Sequence, residues 1–73
     1  MIEVRVFATL RQGREKISFL ESENIHTAAD GLNLMNISPE EVAILLINGF
    51  HSDPEHPVED GYVISLFPPV GGG

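Results

Sequence analysis

The two ends of this chain read as strands of different kinds, and that difference narrows the folds open to it. At the start, Ile2, Val4, Val6 and Ala8 alternate with Glu3, Arg5 and Phe7, the period of two that marks a strand with one buried face. Near the end, Tyr62-Val63-Ile64-Ser65-Leu66-Phe67 is apolar at nearly every position, as in a strand covered on both sides at the middle of a sheet. A chain of 73 residues has room for one domain, and a single core of that size supplies about 3 to 5 kcal/mol of net stability. Both strands therefore belong to one sheet.

The segments between them fill in the order. Arg11-Gln12-Gly13-Arg14 is a glycine turn, and Ile17 and Phe19 offer inward positions for a return strand, which makes an N-terminal hairpin. Ile25, Ala28, Ala29, Leu32 and Met35 then fall on one helical stripe. Either Thr27 with Asp30 or Asn24 caps its start, and Gly31 inside it costs about 1 kcal/mol relative to alanine. Ser38-Pro39-Glu40-Glu41 begins like a helix, but the β-branched and aliphatic run Val42 to Ile47, closed by Asn48-Gly49, reads as an inner strand ending in a tight turn. Ser52 to Asp60 is a polar surface loop with Pro54 and Pro57, and Asp60-Gly61 turns the chain into the last strand. The expected fold is α+β, a β-grasp arrangement with a mixed four- to five-stranded sheet on one main helix. It occupies residues 1–67, and an extended, flexible C-terminal tail occupies 68–73.

Charge and composition remove several functions. Arg5, Arg11, Arg14 and Lys16 all lie in the first sixteen positions, which carry +2, whereas positions 17 to 73 hold nine acids and no Lys or Arg, so the chain totals −7. Nucleic acid is a poor partner for that surface and a basic protein surface a better one. With no cysteine, neither a disulfide framework nor a thiolate metal site forms. No leader or long apolar span is apparent, so we expect a cytoplasmic protein with no membrane partner.

The tail Pro68-Pro69-Val70-Gly71-Gly72-Gly73 is the least expected way to finish a fold, because glycine loses the most entropy on ordering. Six extended residues reach roughly 20 Å at about 3.3 to 3.6 Å each, deep enough to enter another protein's active site. The prolines make the first part a stiff strut, and residues without a Cβ pass a narrow channel and leave the last carbonyl open from either side. A free carboxylate is a weak electrophile and needs activation, most simply as a mixed anhydride with AMP made from ATP and Mg²⁺. Neither phosphate-binding motif, G-x-x-x-x-G-K-[ST] or G-x-G-x-x-G, occurs outside the tail, so ATP and Mg²⁺ would belong to an activating partner and no cofactor to this chain.

The stretches I-E-V-R-V-F-A-T-L-R, I-L-L-I-N-G and D-G-Y-V-I-S-L-F-P-P-V, followed by Gly72-Gly73, resemble the MoaD/ThiS family of ubiquitin-like sulfur carriers over essentially the whole chain. The paired ends R-V-F-A-T-L-R and F-P-P-V-G-G-G are most similar to the small subunit of molybdopterin synthase. The resemblance implies that Gly73, preceded by Gly72, is adenylated by an E1-like enzyme and converted to a thiocarboxylate with sulfur from a persulfide donor. The tail then enters a larger synthase subunit and delivers sulfur for the molybdenum or tungsten cofactor. The triple glycine occurs also in carriers of the ThiS type, which serve thiazole formation, and Gly31 is unexpected in the helix.

Other residues admit plainer accounts. Phe7, out of phase with its neighbours, either packs under the hairpin turn or joins Phe67, Pro68, Pro69, Val70 and Gly71 as the surface that seats a partner. Arg5 and Arg11 read as solvated face residues. Lys16, the single lysine, would be the one internal acceptor if chains were built on this protein. His51, Asp53, Glu55 and His56 invite a metal, but a polar surface loop explains each of them, and we assign no metal. His26 begins the helix. No nucleophile, base and orienting residue share a recognisable spacing, so the chain reads as a carrier and co-substrate rather than an enzyme. Two hypotheses follow: a sulfur carrier, or a ubiquitin-like modifier joined through Gly73 to a target lysine.

Overall fold

The structure is a computed structural model that describes residues 1–69. Five strands, β1 (Ile2–Val6), β2 (Ile17–Leu20), β3 (Ile44–Ile47), β4 (Phe50–His51) and β5 (Val63–Phe67), form one sheet in the order β2-β1-β5-β3-β4. β1 and β5 run parallel and the other neighbours antiparallel. Among the described residues the one α-helix, α1 (Ala28–Leu34), supplies Ala28 and Leu32 to a core that it shares with Ile2, Val4, Val6, Leu45, Ile47, Ile64 and Leu66 from the sheet. This is the β-grasp arrangement expected from the two end strands, with β5 at the centre where its continuous apolar run belongs.

Asn48 and Gly49 both take positive φ, 52° and 87°, which closes β3 onto β4 as a two-residue turn of the type whose twist matches the strands. The helix is short and is held at both ends by named contacts. At its start the Asp30 carboxylate accepts from the backbone N–H groups of His26 and Thr27 at 2.8 and 3.1 Å. The carbonyls of His56 and Pro54 accept from the amides of Ala28 and Ala29 at 3.1 and 2.6 Å. At its end Asn36 (φ 58°) reverses the chain so that Ile37 N–H bonds the Leu32 carbonyl at 2.9 Å, and Ile37 is buried with Leu32. The Arg14 guanidinium donates to the carbonyls of Leu10, Met35 and Asn36, tying the hairpin to this terminus.

Three expectations need correction. Ile17 and Phe19 are 45% and 61% exposed rather than inward. The β1–β2 register sets Ile17 opposite Arg5 and Phe19 opposite Glu3, on the outer face, while Leu20, opposite Ile2, packs on the core. The alternation of β1 stops at Val6, because Ala8 adopts φ 55° and begins the 3₁₀ turn Ala8–Arg11, whose Leu10 takes the core place assigned to Ala8. The segment 52–60 is more than a surface loop, since Val58 is buried and two of its carbonyls cap α1.

Candidate functional site at the base of the tail

β5 carries the chain out of the sheet at Phe67, and both neighbouring segments hold that point. The Phe7 N–H donates to the Leu66 carbonyl at 3.1 Å, and Ala43 N–H donates to the Phe67 carbonyl at 2.8 Å. The rings of Phe7 and Phe67 lie parallel, 6° apart in plane with centroids 4.3 Å apart. Such a pair is worth about 0.5 to 1.5 kcal/mol beyond the area it buries. Phe7 thus joins Phe67 at the root of the tail. Pro68 is half-buried and Pro69 exposed, while Val70, Gly71, Gly72 and Gly73 lie outside the described residues.

Arg11 belongs to the same group, which the sequence reading missed. The left-handed turn at Ala8 brings the chain back by one 3₁₀ turn, and Arg11 Nε donates to the Val6 carbonyl at 2.9 Å while its guanidinium carbon sits 5.4 Å from the centroid of Phe7. Arg5 is exposed and ion-paired with Glu3.

The other candidates stay apart from this group. His51, Asp53, Glu55 and His56 are exposed, and among the described residues no three His, Asp, Glu or Cys side chains gather as a metal site. His26 is exposed at the start of α1. Among the described residues no polar or charged side chain is buried. The carboxyl groups that depart from ordinary behaviour are structural. Asp30 is held below the usual carboxylate range by the amides of His26 and Thr27, and Asp60 by hydrogen bonds from the N-terminal ammonium and Ser22. Among the described residues no helix is long and apolar enough to cross a membrane.

A mixed sheet of this order over one helix, with its central strand leading into Pro68 and Pro69, defines a ubiquitin-like β-grasp protein. The model of the ThiS family matches residues 4–73, and the chain belongs to this ThiS/MoaD family of ubiquitin-like carriers and modifiers. Solved structures share the fold. SAMP1 of Haloferax volcanii superposes with a TM-score of 0.75 at 24% identity over 99% of this chain and 98% of its own. The HVO 2177 protein of the same organism gives 0.74 at 28% identity, over 99% of this chain and 85% of its own. A complex of subunits 1 and 2 of the molybdopterin-converting factor from Helicobacter pylori contains a chain that gives 0.67 at 27% identity, over 99% and 97%. No curated protein sequence matches significantly.

Proposed function

We propose that the protein is a cytoplasmic sulfur carrier whose reagent is the terminal carboxylate of Gly73. The observation that carries this reading is the family match, which spans residues 4–73 and so takes in the body and the last glycine together. The anchor at Phe67 supports it, because a strand clamped on both sides is a firm base from which residues 68–73 can reach a partner's active site. A Gly73 carboxylate oxygen attacks the α-phosphorus of ATP held with Mg²⁺ on an E1-like enzyme, and pyrophosphate leaves. A persulfide's outer sulfur then attacks the Gly73 carbonyl and AMP departs. A thiol cleaves the resulting acyl disulfide, becoming oxidised in a new disulfide and leaving a thiocarboxylate on Gly73. The chain lacks cysteine, so a sulfur atom it carried would ride on this terminus. Gly72 and Gly71 keep the carbonyl accessible, and Pro68, Pro69 and Val70 meet the partner with Phe7 and Phe67.

Delivery to molybdopterin is the pathway we favour, supported by likeness to a chain of a molybdopterin-converting factor complex that contains a second subunit. A ThiS-type role in thiazole formation uses the same first steps. Likeness to SAMP1, described as a small archaeal modifier protein, supports a second reading in which a target lysine amine attacks the adenylate and an isopeptide bond forms at Gly73. Intact-mass spectrometry of protein from its own cells separates the two. Exchange of one terminal oxygen for sulfur is the expected result, and Gly73 found only in isopeptide linkage to lysines would replace the carrier by the modifier.

A further inference from the structure

The basic residues divide into one that holds the fold and three that surround a cleft. Arg14 is committed to the carbonyls of Leu10, Met35 and Asn36. Arg5, Arg11 and Lys16, with Val6, Phe7 and Ile17, line an opening of about 220 Å³ beside the root of the tail. Arg5 is already paired with Glu3. Arg11 is fixed by the Val6 carbonyl and the face of Phe7, and among the described residues neither it nor Lys16 meets a carboxylate. Positions 17 to 73 hold nine acids and no Lys or Arg, so this cleft gathers three of the four basic side chains of a negative molecule.

We infer that the cleft seats an acidic segment of the protein partner that receives the tail, one apolar side chain lying against Phe7 and Ile17 and flanking carboxylates meeting Arg11 and Lys16. The inference rests on the carrier-or-modifier reading only for the statement that such a partner exists. Charge complementarity selects the occupant. A nucleic acid would meet the cations but be repelled by the rest of the surface. A small anion would leave the walls formed by Val6, Phe7 and Ile17 uncovered. An acidic peptide with an apolar residue satisfies both halves, and Arg11 is already held in position, so less side-chain freedom is lost on binding. The charge separation would also turn the tail end of the molecule toward the partner before contact.

The test uses the full chain labelled with ¹⁵N, titrated with the peptide acetyl-Glu-Asp-Leu-Asp-Glu-amide, with acetyl-Lys-Lys-Leu-Lys-Lys-amide, and with inorganic phosphate. Amide shifts at Phe7, Arg11, Lys16 and Ile17 are expected with the acidic peptide alone, weakening as salt is raised. Reversing both charges in Arg11→Glu/Lys16→Glu is expected to weaken binding about tenfold, and Lys16→Glu alone, which breaks no hydrogen bond among the described residues, about threefold. Equal shifts with the basic peptide, phosphate shifts of the same size, or unchanged affinity in Lys16→Glu would overturn the inference. A chain lacking Gly72 and Gly73 should bind the acidic peptide as well as the parent does. Failure at the cleft therefore leaves the terminal chemistry standing, and failure of that chemistry leaves the cleft result unaffected.

Discussion

The two faces of this sheet are drawn from alternate residues of the same strands and have opposite fates. Under α1, Ile2, Val4, Val6, Leu45, Ile47, Ile64 and Leu66 are no more than 6% exposed. On the other face Ile17, Phe19 and Ile44 are 45%, 61% and 38% exposed, and the stacked Phe7 and Phe67 lie at its edge. In a domain this small, almost all the stabilising burial is on the first face. The second retains apolar side chains that stay open to solvent. The difference sets the buried core and the exposed apolar side chains one step apart along a strand.

Substitutions on the two faces can break that comparison. Leu66→Ala, at a position with no exposure, is expected to cost about 2 to 5 kcal/mol and, against a total of about 3 to 5, to leave the protein largely unfolded in urea titrations. Phe19→Ala on the outer face is expected to change stability by less than about 0.5 kcal/mol. Similar losses at both positions would mean that the faces are not distinct. Phe67→Ala falls between them. It removes a stacking term of about 0.5 to 1.5 kcal/mol, and a double-mutant cycle with Phe7→Ala should recover that coupling while the fold survives.

Smaller effects sharpen the same picture. A Cβ added at Gly31 would lie 3.6 Å from Ile64 Cδ1, an ordinary contact, so Gly31→Ala is expected to stabilise the helix side by up to about 1 kcal/mol. Loss of stability would show that the helix needs glycine for close approach to β5. The smallest effect expected is on acid stability. Asp30 and Asp60 have folded-state pKa values below the ordinary aspartate range. Their contribution is therefore complete above the unfolded-state pKa and is lost as pH falls through the lowered folded values. Asp30→Asn and Asp60→Asn should each be less stable than the parent at neutral pH and converge toward it in strong acid, as followed by thermal melting.

Much of this was legible in the sequence because period and punctuation agree. The alternation of Ile2, Val4 and Val6, the continuous run of β5 and the pairs Asn48-Gly49 and Asp60-Gly61 each allow few local structures. The face of β2 was not legible, because Ile17-Ser18-Phe19-Leu20 offers apolar residues to both sides and only pairing with β1 decides between them. Capping of α1 by the carbonyls of Pro54 and His56 was hidden for the same reason, since backbone acceptors carry no sequence signature. At the site, Phe67 and the prolines could be read from their order. Arg11 could not, because its place over Phe7 depends on the left-handed conformation of an alanine, which propensity argues against.

Adenylation of the full chain by an E1-like enzyme from its own cells, with ATP and Mg²⁺, tests the central claim most directly. Peptide mapping of the product should find one adenylyl group, located on the carboxylate of Gly73, and none in a chain lacking Gly72 and Gly73. Modification elsewhere in the chain, or equal modification of the shortened chain, would contradict the account.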